Sequence, residues 1–119
     1  MPIPESPASL LHVTTTAGSR PDADRLAQTL VAERLAACSQ VNGPLTSYYW
    51  WEGRMDSAEE WQCVFKTTAP LFPAIESRIR QLHTYQNPEI IAVPIVGASE
   101  AYAAWVAATV AVPPDGRAS

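Results

Sequence analysis

The softest donor atoms in this chain belong to two cysteines, Cys38 and Cys63, and two histidines, His12 and His83. Thiolate and imidazole suit copper and zinc. No two of the four stand at a short ligand spacing such as Cys-x-x-Cys, and His12 stands alone in an apolar, β-branched stretch. Each also has an ordinary structural role open to it. Cys38 falls at a helix-to-strand junction, where a small buried residue fits. Cys63 alternates with Trp61 and Phe65, as a core residue would. His83 falls at a helix end, where a cationic ring complements the helix dipole. A cysteine paired with His83 would make a nucleophile and base, but nothing in the spacing brings them together. The chain also lacks a Gly-rich phosphate loop, a G-x-S-x-G elbow and an H-E-x-x-H helix, and so reads as non-enzymatic.

A second set is Lys66, Tyr85, Gln86 and Glu89, with Trp51 beside them. Lys66 is the single lysine against seven arginines. It lies late in an expected strand, and Glu89 follows Pro88 at the start of another. Two arrangements are open: a structural Lys66–Glu89 pair at a subunit boundary, or a cleft that takes a small anion or ion.

The elements that must position these groups follow from period and punctuation. Residues 9–16 are apolar and β-branched, a first strand. Ser19, Pro21 and Asp22 open a helix, and Ala23, Leu26, Ala27, Leu30, Val31 and Leu35 mark its apolar face to an end near Ala37. After a break at Asn42-Gly43-Pro44 comes an aromatic strand, Leu45–Glu52. Residues Gly53–Ser57 turn the chain, and Glu59–Thr68 returns as the second arm of a hairpin. Pro70 and Pro73 open a second helix with Leu71, Ile75, Ile79 and Leu82 inward. Glu89–Val96 is a last strand, which Pro94 confines to an edge or a bulge. Ser99 caps a third helix with Tyr102, Val106 and Val110 on one stripe.

The order β-α-β-β-α-β plus a terminal helix is an α+β, ferredoxin-like arrangement. Two helices cover one sheet face and leave the other open. Tyr48-Tyr49-Trp50-Trp51 places two rings on each face of its strand, each ring burying roughly 150–250 Å². One helical layer cannot cover both, so the pattern argues for assembly through the sheet.

Length and composition bound the rest. A chain of 119 residues makes one domain, here residues 9–112, with Pro-rich tails expected at 1–8 and 113–119. Net charge is −4 and no basic stripe offers a nucleic-acid footprint. No apolar stretch is long enough for a membrane span. Two cysteines without an export signal point to a reducing cytoplasm.

Four segments carry a resemblance: Ala32-Glu-Arg-Leu-Ala-Ala-Cys38, Ser47-Tyr-Tyr-Trp-Trp-Glu-Gly53, Lys66-Thr-Thr68 and His83-Thr-Tyr-Gln-Asn-Pro-Glu89. In order and spacing the chain resembles the CutA divalent-cation tolerance family from the first strand to the terminal helix. The resemblance implies a ferredoxin-like subunit, a homotrimer, a bacterial cytoplasmic protein, and a link to copper and other divalent cations. It further implies copper ligands at a cysteine near the end of the first strand and a histidine pair before the Tyr-Gln motif. Thr15 stands at that cysteine position, and Leu82-His83 at the pair. His83 therefore remains, with Cys38 as the second candidate, and weak copper binding is expected. The trimer is similar in architecture to PII-type signalling proteins. That similarity offers two alternatives: a sensor of a small anionic ligand in intersubunit clefts, or a structural trimer presenting a surface to a protein partner.

Overall fold

The computed structural model describes residues 9–111, so the expected tails at 1–8 and 113–119, and Val112 at the end of the expected domain, lie outside the described residues. Strand β1 (Leu10–Ala17) leads into helix α1 (Arg20–Ala32). Ser19 caps that helix, its hydroxyl accepting from the Asp22 N–H at 3.2 Å. Ala23, Leu26, Ala27 and Leu30 form the buried face. The helix ends five residues before Ala37. Arg34 adopts a left-handed φ of 59°, and the N–H groups of Leu35 and Ala36 both turn back to Leu30 O. That reversal satisfies the terminal carbonyl and stops the helix, although apolar spacing continues through Leu35.

Strands β2 (Cys38–Trp51) and β3 (Arg54–Thr68) form one long hairpin. The expected break at Asn42-Gly43-Pro44 is instead a bulge inside β2, between Asn42 and Leu45. Gly43 is required there by close approach: a Cβ on it would lie 2.8 Å from Trp61 Cδ1 and 3.0 Å from the Glu60 carbonyl. The turn is also shorter than Gly53–Ser57. Glu52 and Gly53 alone make it, both with positive φ (50° and 76°), the signature of a type I′ turn.

Residues Ala69–Leu71 form a short 3₁₀ turn, and helix α2 (Phe72–Leu82) follows with Leu71, Ile75 and Ile79 fully buried. Strand β4 spans only Ile91–Pro94, shorter than Glu89–Val96, and helix α3 runs Glu100–Thr109 from a Ser99 cap.

The sheet order is β2-β3-β1-β4, with every neighbouring pair antiparallel. β4 is an edge strand, which accommodates Pro94. Leu11, Val13, Ala17, Cys63 and Phe65 point from the sheet into α1 and α2 and form the main core with Leu26, Leu30, Ile75 and Ile79. The second face is not wholly open. Val106 of α3 packs on Leu10 and Ala37 and covers one end of it. Arg34 ties α3 down, donating from Nη1 to Thr109 O at 3.0 Å and accepting the Ala111 N–H at 2.7 Å. Of the expected α3 stripe only Val106 is fully buried; Tyr102 is exposed.

β1 pairs with β3 only over Trp61–Thr68. From Leu45 and Glu60 outward the hairpin is a two-stranded ribbon. The four aromatic residues lie there, opposite Ser57, Asp56, Met55 and Arg54, beyond the four-stranded sheet rather than on its open face.

Candidate functional site

The loop after α2 is fixed by three hydrogen bonds. His83 is the C-terminal cap of α2. Its Nδ1 accepts the Tyr85 N–H at 3.0 Å, so the ring hydrogen lies on Nε2, which donates to Thr16 O at 2.7 Å. Tyr85 then reaches across to β3 and donates its hydroxyl to Glu60 Oε2 at 2.9 Å. Glu60 is 9% exposed. Gly18 makes room, since a Cβ there would meet the Tyr85 hydroxyl at 3.0 Å. Burial pushes the Tyr85 phenol up to about 12, and the Glu60 carboxylate adds to the effect. At neutral pH this hydroxyl is a hydrogen-bond donor and neither a base nor a nucleophile.

This clasp bears on the metal expectation. Both nitrogens of His83 are engaged within the chain, so binding a metal there requires breaking one of the two bonds. Cys38 is half-buried at the other end of the sheet, its Sγ 3.4 Å from the Tyr102 hydroxyl. That contact, with burial, raises the Tyr102 phenol above its ordinary range. His83 and Cys38 therefore do not converge in one chain. Among the described residues no group of three or more His, Cys, Asp or Glu side chains is placed to hold a metal ion. Thr15 is fully buried, and its hydroxyl has no hydrogen-bond partner among the described residues. Cys63 is core: its Sγ donates to Ala23 O at 3.3 Å, and burial pushes its thiol up to about 11. With His83 committed on both sides and Cys63 held protonated, these two do not make an activated nucleophile and base.

Within one chain the second set divides into three places. Tyr85, Gln86 and Glu89 share the loop beyond the Ala17 end of β1. Lys66 is paired in register with His12, about 16 Å back along β1 from Ala17. Trp51 lies opposite Arg54 at the hairpin tip, roughly 40 Å from Lys66 along β3. Glu89 precedes β4, is exposed and makes no ion pair among the described residues. Lys66 Nζ instead donates to Gln40 Oε1 at 3.1 Å. Glu60 and Gln40 were not singled out by sequence, and Tyr102 only as part of the stripe of the third helix. Strand alternation places Glu60 next to Trp61, but nothing in it forecasts that Tyr85 would cross from another element.

The fold and clasp define a class: an α+β subunit with a four-stranded antiparallel sheet, three helices and a long aromatic hairpin. Sequence comparison narrows it. The family profile described as "CutA1 divalent ion tolerance protein" matches residues 11–109. A divalent-cation tolerance protein CutA from Archaeoglobus fulgidus is 34% identical over 95 residues, covering 80% of this chain and 92% of the relative. The solved Thermus thermophilus protein, a divalent cation tolerance protein, superposes with a TM-score of 0.84 at 36% identity, covering 86% of this chain and 99% of that one. Rice CutA1 superposes with a TM-score of 0.86 at 30% identity, covering 90% and 98%. The chain belongs to the CutA divalent-cation tolerance family. Its relatives are named for different compartments: the rice protein is chloroplastic, and the Archaeoglobus fulgidus structure is described as periplasmic. No described helix is long and apolar enough to cross a membrane.

Proposed function

We propose that this chain is the ferredoxin-like subunit of a non-catalytic homotrimer associated with tolerance of divalent cations, copper among them, in the cytoplasm. One observation carries the assembly. The distal hairpin has no third strand beside it, yet Tyr48, Trp50, Trp51 and Met55 are 73%, 77%, 60% and 69% exposed. An isolated two-stranded ribbon is marginal in water, and an aromatic patch of this kind marks an interface. Further copies of the chain are the cover that the aromatic residues fit, and the family resemblance supplies the number three. The same assembly would give α3, with Trp105 46% exposed, a partner surface.

Light scattering coupled to size exclusion should give about three times 12.9 kDa. A monomer or dimer mass would remove the proposal. Thermal melts across a divalent-metal series then test the cation link. Stabilisation grows with the ratio of metal concentration to Kd, so weak sites show only at high metal.

A second role, sensing a small anion, is favoured by one specific feature. Lys66, like Arg34 and Arg54, has no carboxylate partner among the described residues, but it alone of the three lies in a part of the sheet without Asp or Glu.

A further inference from the structure

We infer that the sheet face opposite α1 and α2 carries an oxyanion site centred on Lys66 Nζ, with Gln40 and His12 as flanking donors, for a small phosphate-class ligand. The inference gives the small-anion role above a definite place, and it rests on that role.

Register places the groups together. Val93, His12, Lys66 and Cys38 lie directly opposite one another across four strands, β4 to β2. Directly opposed residues share a face and stand about 5 Å apart. Gln40 is two residues along β2 from Cys38, so it projects from the same face, and its side-chain oxygen reaches Lys66. With that oxygen turned to the ammonium, the Gln40 amide NH₂ has no acceptor among the described residues. Lys66 Nζ uses one of its three hydrogens on Gln40, leaving two. His12 adds a ring N–H. Three kinds of donor thus share this face on neighbouring strands, His12 and Lys66 half-buried and Gln40 exposed.

The surroundings of Lys66 are free of acidic side chains. The chain carries twelve acidic residues against eight basic ones. Arg20, Arg25, Arg78 and Arg80 each have a carboxylate partner, and Arg34 and Arg54, which have none among the described residues, lie close to acidic residues in sequence. Yet β1, β4, Cys38–Asn42 of β2 and Gln62–Thr68 of β3 contain no Asp or Glu. Lys66 stands in the middle of that acid-free region. Lys66 has one neutral acceptor among the described residues, and any copy of the chain laid over this face would dry its ammonium. A small oxyanion supplies the missing charge and accepts from all three donors. Lysine suits it as a point charge.

The test uses the full-length chain and inorganic phosphate at millimolar concentration, with citrate as a carboxylate arm and sodium chloride at matched ionic strength and pH as reference. Phosphate should raise the melting temperature of the parent above the chloride reference. In Lys66→Met, at unchanged mass and circular dichroism, calorimetric affinity for phosphate should fall about tenfold or more. General salting-in or exclusion effects act equally on parent and variant, so they cannot produce the difference. No gain in the parent, or an equal gain in Lys66→Met, overturns the site. If Lys66→Met fails to assemble, Lys66→Arg and Gln40→Leu decide the matter. The arginine variant should bind within a few-fold of the parent, and the leucine variant several-fold more weakly; equal binding by all three overturns the site. Citrate stabilisation that survives Lys66→Met would preserve the small-anion role while removing this location. A trimer indifferent to both anions would remove the role and the site, but leave the assembly standing.

Discussion

The Tyr85 hydroxyl donates to the nearly buried Glu60 carboxylate at 2.9 Å, joining the loop after α2 to the point where the hairpin leaves the sheet. Burial first, and this bond second, hold the phenol protonated up to about 12 against an ordinary value of 10.0. The sign follows from linkage. The folded state binds this proton more tightly than the unfolded state does. The contribution to stability is therefore complete below about pH 10 and is lost as pH rises toward 12. Phenolate absorbance should show a tyrosine ionising near that upper limit, and Tyr85→Phe should remove that component and flatten the alkaline loss of stability. Unchanged alkaline behaviour in Tyr85→Phe would contradict the assignment.

His83 leads to a metal prediction. Its two ring nitrogens are bonded to Tyr85 N–H and Thr16 O, and Cys38 is remote from it. Copper titration calorimetry should show weak binding, further weakened in His83→Ala. The variant should also lose about 1–2 kcal/mol of stability, because two hydrogen bonds disappear with the ring. Submicromolar copper binding that is indifferent to His83→Ala would place the ligands elsewhere. Tight binding lost in the variant would mean that assembly brings several copies of His83 together.

The element order was legible because apolar spacing is local: Leu26, Leu30, Ile75 and Ile79 announce their helices, and Phe65 and Cys63 their buried strand face. The ends were less so. The stop of α1 depends on Arg34 turning left-handed, a conformation that its residue type does not advertise. The hairpin was foreshortened because Gly43-Pro44 reads as a chain break, whereas the bulge absorbs it and pairing resumes at Leu45. The site was least legible. Tyr85 and Glu60 are twenty-five residues apart, and Lys66 and Gln40 twenty-six, so their meeting depends on tertiary register. Glu89 falls out of line with Lys66 within one chain, because Val93, four residues further on, is the β4 residue opposite His12, and β1 stands between β4 and β3.

Gly43 gives a sharp steric prediction. In Gly43→Ala the new methyl would press on the Trp61 ring and the Glu60 carbonyl at 2.8–3.0 Å, at a backbone φ of 156°. Backbone cannot yield as a flexible side-chain tip can. A loss of roughly 1–3 kcal/mol is expected, the range for forced overpacking. Denaturant unfolding measures it. A variant as stable as the parent would show that Trp61 swings aside freely.

The hairpin tip provides the strongest test of assembly. Trp51 is 60% exposed in one chain and lies opposite Arg54, next to the two-residue turn. If the tip stays in water, Trp51→Ala removes only partial contact and should change stability by no more than about 0.5 kcal/mol, as surface substitutions do. If other copies enclose it, the same change empties a packed aromatic position, and a cost of roughly 3–5 kcal/mol is expected. The loss must then depend on protein concentration, because dissociation and unfolding are linked in an assembly. Light scattering across a dilution series, paired with melts at each concentration, separates the cases. Parent and Trp51→Ala with equal mass and coincident melts would leave the ring in solvent and the assembly without its principal contact.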